Sequence, residues 1–240
     1  MSGRLTHIWV YLAASPLLWL TVTLVAYQGA TWVAKRFGYH PIANPVAIAV
    51  IALVLLLRFT GTRYQTYFDG AQFVHFLLGP ATVALAVPLY QHFDRVKRML
   101  LPLMAALVAG SATALLSAYW TARLLHGTRE VALSLAPKSA TMPIAMGIAE
   151  KIGGLPSLTA VFVMLTGILG AVVGNMLFDR IRCRDDSIRG FAIGLTSHGI
   201  GTARAFQLGE MAGAFSGLAM GMNGLMTALL APLMMRWMGG

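Results

Sequence analysis

Cysteine and charge are the scarcest components of this chain. Cys183 is the single cysteine among 240 residues, which excludes an intrachain disulfide and a cluster of metal-binding thiolates. Only 11% of the residues are charged and 58% are hydrophobic, whereas soluble domains usually carry about 25% charged residues. The acidic residues and histidines are scattered without the spacing of a zinc site, so we expect no metal and no cofactor.

Apolar residues, by contrast, occur in long blocks, and the mean hydropathy of the chain is +0.72. Blocks of this length are typical of membrane-spanning helices, because about 20 apolar residues cross the hydrocarbon core. Two weaker segments, 135–154 and 191–213, carry charged residues. The pattern predicts an all-α polytopic membrane protein with about 6–8 membrane segments in a single domain over 1–240. The strong blocks cover residues 8–34, 45–57, 73–90, 99–125, 158–178 and 215–235.

Basic residues outnumber acidic ones by 18 to 8, and many of them lie between the apolar blocks. Lys and Arg concentrate in cytoplasmic loops, so the stretches 35–37, 94–98 and 179–189 are expected on the cytoplasmic side. The parity of crossings then requires segment 135–154 to enter and leave on one side, with the N-terminus outside. The basic stripe with interleaved aromatics that marks a nucleic-acid surface is missing, so we expect no nucleic-acid partner.

The first weak segment, LAPKSATMPIAMGIAEKIGG, contains two prolines that should interrupt a helix. An interrupted helix inside a membrane frees N–H and C=O groups, which are tolerated only where protein or water satisfies them. A lysine beside such a helix start favours an anion. Lys138 with the hydroxyl groups of Ser139 and Thr141 is therefore predicted to form half of a binding site. The alternative is a kinked helix end whose Lys138 reaches the lipid headgroups.

The second weak segment, FAIGLTSHGIGTARAFQLGEMAG, contains glycines that would unwind a helix or allow another backbone to approach. Arg204 can grip a carboxylate with two hydrogen bonds; the alternative is a structural ion pair with Glu210. His198 and Glu210 are the candidate proton carriers, since imidazole titrates near neutral pH and burial raises the pKa of a carboxyl. A buried, hydrogen-bonded histidine is the alternative for His198. The candidate binding residues here are Ser197, His198, Gly199, Gly201, Thr202 and Arg204.

Three further features concern packing and symmetry. Asn223 is a polar residue in an apolar helix and suits either helix–helix hydrogen bonding or contact with a ligand. Gly170 and Gly174 form a small-residue face for helix packing, and a dimer contact there is left open. A weak internal repeat relates residues 8–126 to residues 129–237, and its hand, inverted or parallel, is left open.

These strings resemble the LrgB family of bacterial membrane proteins. The resemblance covers about residues 44–237 and is carried by FLLGPATVALAVPLY, LAPKSATMPIAMGIAEKIGG, SHGIGTARAFQLGE and GAFSGLAMGMNGL. It implies a bacterial inner-membrane protein. The family was first described as an antiholin-like partner of LrgA that regulates murein hydrolase export and autolysis. It is also similar to the C-terminal part of the plastidial glycolate/glycerate translocator, and bacterial relatives are implicated in pyruvate uptake.

The resemblance also implies a fold like that of cation–proton antiporters and bile-acid symporters, with inverted repeats and two broken helices that cross near the membrane midplane. It further implies a homodimer in the lipid bilayer. Two functional hypotheses follow from it. The first is a proton-coupled secondary transporter of small monocarboxylates such as glycolate, glycerate, lactate or pyruvate. The second is an antiholin-like regulator that acts with an LrgA-type membrane partner. A membrane enzyme is the weakest class, because the sequence lacks a set of nucleophile, base and acid.

Overall fold

The computed structural model describes residues 16–38 and 43–239, and the regular secondary structure in these ranges is helical throughout. The beginning of the predicted block 8–34, and with it part of the first proposed repeat, lies outside the described residues. The chain divides into two compact units, Met1–Ala84 and Leu85–Gly240. This division does not coincide with the boundary between the proposed repeats, so the single domain and the repeat both stay predictions.

The first unit contains four described helices, α1 (Pro16–Arg36), α2 (Pro45–Thr60), α3 (Tyr64–Phe76) and α4 (Leu78–Ala84). The side chain of Asn44 caps α2 by accepting hydrogen bonds from the first backbone N–H groups of that helix. Trp19 of α1 is fully buried and meets the ring of Tyr67 in α3 edge-on, with 5.8 Å between the ring centroids. An aromatic contact therefore ties α1 to α3 inside this unit.

The second unit contains the helices that matter for function. Two short helices come first and lead into a long one. The eight helices are α5 (Ala86–Gln91), α6 (Phe93–Arg98), α7 (Leu100–Leu124), α8 (Arg129–Leu135), α9 (Met142–Ile152), α10 (Pro156–Arg180), α11 (Asp186–Leu208) and α12 (Glu210–Gly239).

Four of the described helices are long and apolar enough to cross a membrane: α1, α7, α10 and α12. A fifth span is obtained if the bent pair Tyr64–Val74 and Gly79–Gln91 counts as one. The predicted count of 6–8 segments is therefore not confirmed. The 16 residues of α2 extend only about 24 Å, which is short of the roughly 30 Å hydrocarbon core. The two weak segments do not form straight spans either.

α8 and α9 form a hairpin rather than one long helix. α8 ends at Leu135, and the chain turns over residues 136–141 before α9 begins. The turn after α9 comes back to α8, because a Cβ placed on Gly154 would lie 2.8 Å from the backbone nitrogen of Ser134. Thr159, in the first turn of α10, donates to the Ser134 carbonyl oxygen at 2.9 Å. The segment α8–turn–α9, named hairpin 1 below, thus enters and leaves at the same end of the unit.

α11 also folds back on itself. Its backbone is helical except at His198, where φ is 43° and ψ is −136°. A straight helix of 23 residues would separate its ends by about 34 Å. Instead, a Cβ placed on Gly209 would lie only 4.0 Å from the Asp186 carboxylate, and Ile193 packs in one cluster with Ala205. α11 is therefore a second hairpin, named hairpin 2, with arms 186–197 and 199–208.

The two hairpins enter from opposite ends of α7. Near the last turns of α7, Tyr119 packs in one cluster with Ala132 of hairpin 1. At the N-cap of α7, the Met99 sulfur lies 3.7 Å from the Ser187 hydroxyl of hairpin 2. A hairpin followed by a long helix thus occurs twice, as α8–α10 and as α11–α12, once from each end. This arrangement agrees with the parity argument, which required the first weak segment to return to the side it entered.

The two richest basic stretches lie together at the hairpin 2 end. Arg95 of α6 forms an ion pair with Asp185, 2.7 Å from nitrogen to oxygen, and Asp185 caps α11. The pKa of Asp185 is held below its ordinary value, mainly by the hydrogen bond from the Ser187 hydroxyl, with further contributions from backbone N–H groups and the Arg95 charge. This contact agrees with the prediction that stretches 94–98 and 179–189 lie on the same side of the membrane.

The first arm of hairpin 2 packs against α12 with almost no space between the backbones. A Cβ on Gly190 would overlap the carbonyl oxygen of Ala212, and a Cβ on Gly194 would overlap that of Ser216. Because the overlapped atoms belong to the backbone of α12, the helices themselves would have to separate to accept a methyl group. Glycine at these two positions is therefore what lets α11 lie directly on α12.

Gly194→Ala should destabilise the protein, because it forces α11 away from α12. Overpacking typically costs about 1–3 kcal/mol, which corresponds to a drop of roughly 2–12 °C in the thermal midpoint of a protein this size. Thermal unfolding of the purified protein in detergent, followed by tryptophan fluorescence, measures the change. Gly221→Ala in α12 is the matched control, since no atom lies within 4 Å of its added Cβ. Equal midpoints for the two variants would contradict the close approach.

Candidate functional site

The tips of the two hairpins meet at the side chain of Asn223, near the middle of α12. The Asn223 amide nitrogen donates to the carbonyl oxygen of Ser139 in hairpin 1 and to that of Leu195 in hairpin 2, each at 2.9 Å. Its amide oxygen accepts from the hydroxyl groups of Ser111 in α7, at 2.7 Å, and Thr227, at 3.3 Å. We name this set of five residues the Asn223 junction.

The two carbonyl groups need this partner because both belong to interrupted helices. In a continuous α11, the oxygen of Leu195 would accept from the N–H four residues later, but the backbone is non-helical at His198. Ser139 lies in the turn between α8 and α9. A buried carbonyl without a donor costs about 1–3 kcal/mol. Asn223, which is 1% exposed, satisfies both of them and uses the full capacity of its own amide group.

The tip of hairpin 2 is held against α10. The Nε2 atom of His198 lies 2.9 Å from the carbonyl oxygen of Val163, and the Thr202 hydroxyl donates to the His198 carbonyl oxygen at 2.8 Å. The same hydroxyl also lies 2.9 Å from that of Ser216 in α12. A non-glycine residue at positive φ is strained and persists only where its surroundings hold it. These contacts are what hold His198 in that conformation.

The tip of hairpin 1 contains Lys138. Its ammonium group donates to the hydroxyl of Ser139 at 3.3 Å and is half-buried. Thr141 is the N-cap residue of α9, but its hydroxyl makes no capping hydrogen bond. The first N–H groups of a helix lack partners within the helix. The turn therefore places a cation beside an N-terminus that its own cap residue does not satisfy, which is an arrangement that favours an anion.

The structure brings most of the predicted residues to the hairpin tips and leaves others apart. Lys138 lies in the turn of hairpin 1, next to Ser139 of the Asn223 junction. Arg204 follows His198 by about two helical turns and donates to the Gln207 side chain at 2.6 Å. Glu210 is exposed at the start of α12, so it lacks the burial on which its proposed proton-carrying role rests. Ser139, Ser197, His198, Gly201, Thr202 and Asn223 are buried, Thr141 is half-buried and Gly199 is exposed.

The binding roles of these residues stay predictions. Of the two interpretations of Asn223, helix–helix hydrogen bonding or ligand contact, the structure favours the first, because four hydrogen bonds to protein use the full capacity of its amide group. Within the described ranges, no three His, Cys, Asp or Glu side chains cluster to hold a metal ion; the expectation of no metal also stays a prediction.

Sequence reasoning missed Ser111, which joins the Asn223 junction from α7, and Val163, which holds His198 from α10. Ser111 is 1% exposed and is a polar residue in a long apolar helix, a signal that the sequence does contain. Val163 contributes only its carbonyl oxygen, which no side-chain pattern reveals. The Gly170 and Gly174 face packs inside the chain, since a Cβ on Gly170 would overlap the Ser197 hydroxyl and one on Gly174 would touch Ile193.

These features define an all-helical, multi-pass membrane protein in which two hairpins meet inside the second unit. The chain belongs to the LrgB-like family, whose match covers residues 23–237.

Three relatives match over nearly their whole length. The uncharacterized protein YwbG of Bacillus subtilis is 36% identical over 91% of this chain and 97% of its own. The antiholin-like protein LrgB of Bacillus subtilis is 28% identical over 94% of this chain and 98% of its own. The holin-like protein CidB of Staphylococcus epidermidis is 28% identical over 90% of this chain and 94% of its own. No solved structure matches the chain.

Asn223→Ala should lower stability by about 2–4 kcal/mol, because two buried carbonyl groups and two buried hydroxyl groups lose their Asn223 partner. Asn175→Ala in α10 is the matched control: the Asn175 side-chain oxygen is buried without a hydrogen-bond partner in the described part of the chain. Removing that oxygen should cost far less or stabilise the protein. Thermal and denaturant unfolding in detergent compare the two variants. A smaller loss for Asn223→Ala than for Asn175→Ala would contradict the bridging role.

Proposed function

We propose that this protein is an antiholin-like membrane component that restrains the export of murein hydrolases and hence autolysis. The support is its membership of the LrgB-like family, together with full-length relatives whose names are antiholin-like and holin-like. The described fold suits a membrane component, since its second unit contains three helices long enough to span a bilayer. An LrgA-type partner belongs to this proposal.

Deletion of the gene in a bacterium that carries it should raise the murein hydrolase activity released into the medium and speed autolysis, because an antiholin-like component restrains release. Zymography of culture supernatants and the fall in turbidity after detergent challenge measure the two effects. Re-expression of the intact chain should restore the original rates, and Gly221→Ala, which leaves packing undisturbed, should restore them equally. Unchanged release and lysis after deletion would rule out this role.

A second candidate, transport of small monocarboxylates of the glycolate, glycerate, lactate or pyruvate type, is favoured by one observation. A cation, Lys138, and the first turn of α9 lie at the tip of a hairpin that ends inside the unit. Charge at membrane depth costs about 2.5–3.5 kcal/mol on insertion scales, and a site for an anion gives that charge a use. A structure whose only role were self-association would have no need of it.

In this second proposal the carboxylate would bind to Lys138 and to backbone N–H groups at the start of α9. The hydroxyl groups of Ser139 and Thr141 would then bind the hydroxyl or keto oxygen of the substrate. Arg204 lies farther along hairpin 2 and would act at an earlier or later stage of passage rather than at the tip. A proton is the simplest coupling ion, and His198 is its carrier in this proposal.

Lactate, glycolate and pyruvate should each raise the thermal midpoint of the purified protein in a saturable way. A ligand at a hundredfold excess over its Kd stabilises by about 2.7 kcal/mol, or roughly 5–11 °C for a chain of this size. Lys138→Met should abolish the shift, whereas the control Lys151→Met, at an exposed position in α9, should retain it. A shift that persists in Lys138→Met, or one that equals the effect of uncharged propanediol, would reject this site.

The same variant separates the two candidates. If Lys138→Met loses carboxylate binding and also fails to restrain lysis in the deletion strain, the lysis phenotype depends on carboxylate transport. If Lys138→Met restrains lysis as well as the intact chain does, the regulatory role is independent of the anion site.

A further inference from the structure

The hairpin 2 end of the second unit carries a clamp between two loops that are far apart in sequence. Arg95 of α6 pairs with Asp185 at 2.7 Å and donates to the Ser187 hydroxyl at 3.3 Å. Arg189 pairs with Asp179 at 2.5 Å and donates to the Cys183 carbonyl oxygen at 2.5 Å. Two arginines are therefore neutralised by two carboxylates: the Arg95 contacts fix α6 beside the loop between α10 and α11, and the Arg189 contacts hold that loop itself.

Five further cations at the same end remain exposed to the surroundings. Within the described ranges, the side chains of Arg98, Arg180, Arg182 and Arg184 form no hydrogen bond or ion pair with protein. The Lys97 ammonium group lies over the Phe93 ring, 4.5 Å from its centroid. Two acids, Asp94 and Asp186, are the remaining carboxylates in these loops. The clamp thus assembles a surface with excess positive charge. We name it the basic rim: Lys97, Arg98, Arg180, Arg182 and Arg184.

Apolar side chains next to the basic rim indicate its depth in the membrane. Leu100 at the start of α7 is 53% exposed, Leu177 near the end of α10 is 54% exposed and Ile181 is 61% exposed. α7 and α10 both qualify as membrane spans, so their ends lie near the boundary between hydrocarbon and headgroups. The rim therefore lies where lipid phosphates lie, with apolar neighbours at the level of the acyl chains. A lipid can cover those apolar side chains with its acyl chains while its phosphate meets the cations, whereas a soluble acidic protein has no acyl chains.

We propose that the basic rim is a binding surface for anionic phospholipid, with its arginines on the headgroup phosphate and the exposed apolar residues against the acyl chains. Arginine is suited to this role because its planar guanidinium group forms paired hydrogen bonds with phosphate oxygens. The Arg95–Asp185 and Arg189–Asp179 pairs hold the rim in place without contributing to its charge. The surface is separate from the Asn223 junction and does not depend on either proposed function.

The test is lipid binding to the intact, delipidated protein in a neutral detergent, followed by native mass spectrometry. Dioleoylphosphatidylglycerol should bind more tightly than dioleoylphosphatidylcholine, and the difference should shrink as salt is raised. Near a membrane surface, each Lys or Arg strengthens binding of anionic lipid about fivefold. Arg182→Gln with Arg184→Gln should therefore weaken binding of phosphatidylglycerol by about 25-fold and leave phosphatidylcholine unchanged.

Three controls keep the outcome decisive. The charge-retaining pair Arg182→Lys with Arg184→Lys should retain most of the preference. The pair Arg58→Gln with Arg63→Gln, which removes two exposed cations from the first unit, should retain it fully. Unchanged melting temperatures show that the variants are folded, as expected for exposed positions. Equal binding of the two lipids by the intact protein overturns the proposal, and so does equal binding of glycerol 1-phosphate and phosphatidylglycerol, because the rim would then be a site for soluble phosphates.

Discussion

The second unit depends on one buried amide group. Hairpins that end inside an apolar bundle must leave carbonyl groups without helical partners, and in hydrocarbon such groups cannot turn to water. Asn223 donates to one such carbonyl from each hairpin and accepts hydrogen bonds from hydroxyl groups of α7 and α12. Because a single side chain satisfies both tips, neither hairpin can move away from α12 without leaving a buried acceptor unpaired. Both tips are therefore held to α12 by the same side chain.

Close packing of backbones makes this arrangement geometrically accessible. α11 lies directly on α12 because Gly190 and Gly194 leave room for backbone carbonyl groups, and Gly170 leaves room for Ser197. Lipid tails are as apolar as the helices, so the hydrophobic effect contributes little to helix association in a membrane. Close contacts between backbones supply dispersion energy instead, and larger side chains at these positions would prevent those contacts. Glycine therefore allows close packing along hairpin 2. At the tip, the chain reverses at His198, and hydrogen bonds with Val163 and Thr202 hold this residue in its strained conformation.

Sequence patterns predicted the broad architecture and the places where helices break, but not how the breaks are arranged. The prolines around Lys138 and the glycines around His198 marked both hairpins. The predicted count of 6–8 spans is not confirmed, since an apolar run such as α2 is long enough to suggest a crossing but short of the bilayer thickness. Asn223 was recognised as unusual, yet its partners could not be named, because Ser139, Leu195 and Ser111 are distant in sequence and two of them contribute only backbone oxygen.

The sequence by itself determined that the chain is a helical membrane protein of the LrgB-like family, because hydropathy and motif strings are local properties. It also determined where prolines and glycines interrupt the helices. Tertiary structure alone decided that both interruptions are hairpins, that they enter from opposite ends, and that Lys138 lies at a tip while Arg204 lies along an arm. The physical reason is that the direction of a chain after a break is set by which distant groups satisfy its freed hydrogen bonds.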